Sequence, residues 1–141
     1  MKIPNYKIRK ANREDIVRIK ELIKANPKTI VPRKNDEFDE LLQTFWVAEV
    51  EAKVIGCVCL EIYSRKICEI RTLVVDDEFR HCGIGRALIA EAVAEAQKSK
   101  IPQIMVITSD PAYFERLSFG PDLNEKFALF YQAGHRSDET K

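Results

Sequence analysis

The sequence predicts a mixed α/β (α+β) fold, a central sheet of about six strands flanked by about four helices. Three observations carry this. The 141 residues are 45% hydrophobic and 32% charged, a composition that buries a core. Apolar positions recur at helical spacing in some stretches, while β-rich runs bounded by polar turns fill others. One β-rich run, Ile67–Val75, feeds through a glycine loop straight into a helical pattern. A chain of this length fits one domain, expected over residues 1–134, with the polar segment 135–141 as a disordered tail.

The elements follow in order. Tyr6–Lys10 reads as a short strand. Asn12 then precedes an acidic turn and apolar residues at Ile16, Ile19, Leu22 and Ile23, one helix face with Asn12 as N-cap and Pro27 beyond its end. A short helix is expected over Asp36–Gln43. Phe45–Val50 and Val54–Tyr63 are strands joined by a hairpin at Glu51-Ala52-Lys53, and Ile67–Val75 continues the antiparallel set. From Gly85 a helical stripe (Leu88, Ala92, Val93, Ala96) runs to about Ser99. Gln103–Ile107 is a buried strand, Pro111–Leu117 a short helix and Lys126–Gln132 a last strand.

Several function classes drop out. No apolar run approaches the roughly 18 residues of a bilayer-spanning helix. The start, MKIPNYKIRKANRED, has neither an apolar core nor a small-residue cleavage pattern, so a cytoplasmic protein is expected, with no membrane partner. Cys57, Cys59, Cys68 and Cys82 form no CxxC pair and only two histidines exist, so no metal site is expected and the thiols are read as reduced. Residues 1–34 hold eleven Lys/Arg against three Asp/Glu, and the remainder twelve against nineteen. The cations are scattered and not interleaved with aromatics, which reads as a solvated helix face and not as a nucleic-acid surface.

The chemistry concentrates at Arg80-His81-Cys82-Gly83-Ile84-Gly85-Arg86, between strand and helix. Glycines two apart at a helix start let the backbone approach a ligand and aim free N–H groups at it. With the helix dipole this suits a phosphate or pyrophosphate, and Arg80 and Arg86 add permanent charge. A P-loop would need Lys-Ser/Thr and a dinucleotide fingerprint a third glycine, and both are missing.

The stretch LVVDDEFRHCGIGRALIAEAV resembles the acetyl-CoA-binding motif Q/R-x-x-G-x-G/A of the GNAT superfamily of N-acetyltransferases, with Arg80 first and Gly83 and Gly85 in the glycine positions. The resemblance implies the GNAT acyl-CoA N-acyltransferase fold, acetyl-CoA as co-substrate and direct transfer to an amine without a metal. It implies that the main chain of Arg80, His81, Cys82, Gly83, Ile84, Gly85 and Arg86 holds the CoA pyrophosphate, while Leu73, Val74 and Val75 pair with the pantetheine as an extra strand. EIRTLVV, VITSDPAYFERLSF and the loop Pro32-Arg33 are similar to the short bacterial amino-acid acetyltransferases of the N-acetylglutamate synthase type. Three departures fall in the acceptor half: Ser118 in place of a glycine, a short segment after Phe119, and no tryptophan or cysteine near the C-terminus.

Glu69, on the strand leading into the loop, is the candidate base; its alternative is a same-face partner for Arg71, two residues on. Phe114 stands where many family members carry the tyrosine that protonates the leaving thiolate, with Tyr113 beside it. Arg71, Arg33 and Lys126 are the cations for an acceptor carboxylate. The expected function is acetyl transfer to a primary amine, favouring a small, acidic amino acid such as glutamate. The alternatives are a protein or peptide N-acetyltransferase of the same fold and a silent acyl-CoA-binding module. The expected partner is a small-molecule amine, with no nucleic acid and with a homodimer allowed.

Overall fold

A computed structural model describes residues 3–27, 35–121 and 127–131. It divides into two compact units, Met1–Thr108 and Ser109–Lys141. The first unit carries strands β1 (Lys7–Lys10), β2 (Phe45–Val50), β3 (Lys53–Ile62), β4 (Ile67–Val75) and β5 (Gln103–Val106), with helices α1 (Ile16–Lys24), α2 (Asn35–Leu41) and α3 (Ile84–Lys98). The second carries α4 (Pro111–Glu115), whose N-cap Asp110 accepts the Tyr113 N–H at 3.3 Å.

The five strands form one sheet in sequence order, antiparallel from β1 to β4 and parallel between β4 and β5. A parallel neighbour requires a crossover, which α3 supplies. Val47, Cys57, Cys59 and Val74 face α1 and α2, packing with Phe45, Ile19, Leu22, Ile23 and Phe38. On the opposite face Gly56 lies against α3: a Cβ there would come within 3.3 Å of Leu88 Cδ1 and 3.1 Å of the Val74 carbonyl. Any side chain at Gly56 would have to push these neighbours back by a few tenths of an ångström.

Local chemistry explains the ends. Asn12 accepts the Glu14 N–H at 3.0 Å, and Asp15 accepts the Asn12 N–H at 2.8 Å, a reciprocal cap. At the far end of α1 the Asn26 amide donates to the Leu22 carbonyl at 2.9 Å. The β2–β3 hairpin turns on Glu51 and Ala52, both with positive φ (50° and 64°), as a tight right-twisted hairpin demands.

Among the described residues the sheet has five strands where about six were expected. Lys126 and Gln132, the ends of the expected last strand, lie outside the described residues, and Phe127–Tyr131 forms no strand. Phe127, Leu129, Phe130 and Tyr131 are instead exposed. β-rich composition describes a surface that packs well in a sheet, and does not itself supply a neighbour. The tail 135–141 also lies outside the described residues. Among the described residues no helix is long and apolar enough to cross a membrane.

Candidate acetyl-CoA site

The site grows from β4. Its first half has strands on both sides, β3 on one and β5 on the other, the latter pairing Ile67–Ile70 with Gln103–Val106. From Arg71 to Val75 only β3 continues, so among the described residues no strand pairs with β4 on its other side. The parting coincides with an irregularity. Cys57 pairs with Val74 and Cys59 with Arg71, so two steps on β3 face three on β4, and Thr72 takes up the extra residue with φ 57°. A β-branched residue with positive φ is costly and marks a built feature. The bulge shifts the alternation: Val74, not Leu73 or Val75, shares the face of Glu69 and Arg71.

Beyond Val75 the chain is tied down firmly. The Asp76 N–H donates to the Ile55 carbonyl at 2.7 Å, and its carboxylate caps the short turn Asp77–Phe79. Arg18 of α1 reaches both ends of this junction, donating to the Val54 carbonyl at 2.8 Å and to Asp76 at 3.1 Å. Arg80 is held by Asn26 at 2.7 Å and Asp77 at 2.9 Å. The loop then turns left-handed at His81 (φ 63°) and again at Gly83 (φ 83°), the N-cap of α3. No side chain caps this helix start. A Cβ on Gly83 would meet nothing within 4 Å, so the space beside this helix start is open at Gly83. Cys82 is half-buried and His81 and Arg86 exposed; Arg86 makes no ion pair among the described residues.

Upstream on β4, Glu69 is 6% exposed and accepts a hydrogen bond from the Tyr63 hydroxyl at 2.5 Å. It does not pair with Arg71. The register puts Glu61 directly opposite Glu69, and Arg71 reaches diagonally to the Glu61 carboxylate. The same-face pairing expected from alternation is thus corrected, because a cross-strand carboxylate lies nearer than one two residues along. The same Glu61 oxygen also lies 3.0 Å from the Tyr63 hydroxyl oxygen. Burial, helped by both carboxylates, pushes the Tyr63 hydroxyl well above its usual value. Burial likewise pushes the Cys57 and Cys59 thiols up to about 12.

Tyr63 and Glu61 escaped sequence reasoning; their signal was parity with Cys59 on β3, which puts them on the Glu69 face. Arg33 and Lys126 lie outside the described residues. Phe114 is buried in the second unit, its ring edge-on to Tyr113 and Phe119. Among the described residues no group of three or more His, Cys, Asp or Glu is arranged to hold a metal.

A strand half open on one side thus runs into a helix start that no side chain caps. The chain belongs to the GNAT acetyltransferase family: the Acetyltransferase (GNAT) domain matches residues 42–132. It is 33% identical over 95 residues to an uncharacterized N-acetyltransferase of Chlorobaculum tepidum, covering 67% of this chain and 61% of that protein. It is 32% identical over 116 residues to an amino-acid acetyltransferase of Mycobacterium tuberculosis, covering 79% of this chain and 67% of that one. A Mycobacterium tuberculosis crystal structure in complex with CoA superposes with a TM-score of 0.77 at 27% identity, over 94% of this chain and 80% of that chain. The chain therefore spans under two thirds of the Chlorobaculum protein's length.

Proposed function

We propose that this protein transfers the acetyl group of acetyl-CoA to the amine of a small amino acid. The observation that carries the reading is the continuity of β4: Glu69, the half-strand open on one side and the uncapped N-terminus of α3 follow one another along a single stretch of chain. From Glu69 to Val75 the strand covers roughly 20 Å, a span suited to an extended pantetheine arm. Leu73, Val74 and Val75 would hold that arm by main-chain pairing. The N–H groups of the Arg80–Arg86 loop, with the positive end of the α3 dipole and the charges of Arg80 and Arg86, would hold the pyrophosphate.

Acetyl-CoA supplies the activated acetyl thioester. The chain's own residues must then position the amine and take its proton. Glu69 is the base: buried on the strand that leads to the thioester position, it accepts the proton directly or through one water. Arg71 would turn from Glu61 to the acceptor carboxylate, and Arg33 and Lys126 are further cations for it. The mycobacterial relative's name supports an amino-acid acceptor, and EIRTLVV with Pro32-Arg33 supports an acidic one. The protein would act in the cytoplasm on a small molecule, without a nucleic-acid partner, as a single domain 1–134 able to form homodimers.

The Glu61–Arg71 pair favours one second reading. With Arg71 neutralised, the acceptor side carries the excess negative charge of Glu69, which suits a cationic amine without a carboxylate, as in a peptide N-terminus. A CoA-release assay against the twenty amino acids, glutamine and asparagine among them, polyamines and N-terminal peptides separates the two. Turnover fastest with glutamate or aspartate supports the first. Turnover of peptides or polyamines alone overturns it, and CoA binding without turnover of any amine leaves a silent binding module.

A further inference from the structure

Tyr63 lies just past β3, half exposed, its hydroxyl within hydrogen-bond distance of Glu69 Oε1 and Glu61 Oε2. A phenol carries one proton and cannot donate to two carboxylates at once. Two arrangements satisfy the group. In one, Glu69 is ionised and Tyr63 donates to it. In the other, Glu69 carries a proton and donates it to the Tyr63 oxygen, while Tyr63 donates to Glu61. The second holds one proton more than the first: a proton received by Glu69 turns the Tyr63 hydroxyl toward Glu61, and the phenol can then pass a proton on without moving a heavy atom.

We propose that Tyr63 is the proton outlet of Glu69, relaying each abstracted proton to Glu61 and thence to water. The inference rests on Glu69 being the base. The need for an outlet follows from burial: Glu69 is 6% exposed while Tyr63 is 50% exposed. Among the described residues, Tyr63 is the one side chain hydrogen-bonded to Glu69. The balance is simple. The amine N–H bond breaks and an O–H bond forms on Glu69; that proton passes to the Tyr63 oxygen as the proton of Tyr63 passes to Glu61, and Glu61 releases it to solvent. One proton leaves the amine, one enters water, and nothing is oxidised or reduced. The other groups on this face do not compete. Cys59, its thiol pushed up by burial, stays neutral near pH 7 and Arg71 stays cationic. Met105, opposite Glu69 on β5, does not titrate.

The test uses the full chain with acetyl-CoA and L-glutamate in dilute buffer. Tyr63→Phe keeps the ring and removes the proton carrier. It should lower kcat roughly tenfold or more while both KM values stay within about twofold. Added imidazole, a small diffusible base, should restore kcat in the variant and leave the wild type unchanged. A variant as fast as wild type, or a loss that imidazole does not relieve, overturns the relay. Failure of the underlying reading looks different: Glu69→Gln would then keep wild-type kcat, or the wild type would acetylate no amine.

Discussion

At Gly83 the proposed function puts backbone, and no side chain, against the ligand. Its φ of 83° is strained for any side chain, and the space above it is open. Gly83→Val should cost about 1–3 kcal/mol of stability and obstruct the approach to the first-turn N–H groups. Calorimetry should show acetyl-CoA binding at least about tenfold weaker, and unchanged affinity would remove the loop from the site. Glu69→Gln should lower kcat by about 10²-fold or more with little change in the acetyl-CoA KM, the loss shrinking at high pH where the amine is already neutral. The places of both residues, one in the loop before α3 and one on β4, were legible from the sequence. Their partners were not: period two along β4 put Arg71 beside Glu69, whereas the opposing register of β3, invisible from one strand, delivers Glu61 to Arg71 and Tyr63 to Glu69.

At the level of elements, the ends are more telling than the middles. The hairpin places Ala52 at φ 64°, a conformation glycine adopts without strain. Ala52→Gly should therefore raise stability by about 1 kcal/mol in chemical denaturation, and no gain would mean that the turn is relaxed. At the start of α1, burial works against the charge on Asp15, but hydrogen bonds from Arg9 at 2.8 and 2.9 Å and from the Asn12 N–H hold its carboxyl below the ordinary value of 3.8. A depressed native value means the contribution is present above pH 3.8 and lost as pH falls through the lower, folded value. Asp15→Asn should cost about 1.5–3 kcal/mol near pH 7 and flatten this part of the acid unfolding curve. Strand bounds in β2 and β4 match the composition residue for residue, since turn-formers bracket them. The Thr72 bulge does not, because nothing in ICEIRTLVV marks where a ladder gains a residue.

Across the whole molecule, ligand binding and folding are linked through the first unit. Arg18 and Asn26 tie α1 to the junctions on either side of the Asp77–Phe79 turn, so the loop is held by the same helix that fills the core. CoA at about a hundredfold excess over its Kd should add about 2.7 kcal/mol and raise Tm by about 10 °C, read from the fluorescence of the buried Trp46. A Tm indifferent to CoA would contradict the site. Gly83→Val should lose most of that shift.

The parting of β4 from β5 has a further consequence, for the life of the protein without its ligand. A half-strand with one side unclaimed is a template for any extended chain, and a second copy can offer one. The feature that would receive a pantetheine arm is therefore the place where stripped protein would begin to associate with itself. Storage with CoA would then act as a preservative: it would occupy the stretch of this sheet, Arg71 to Val75, whose outer side is open among the described residues.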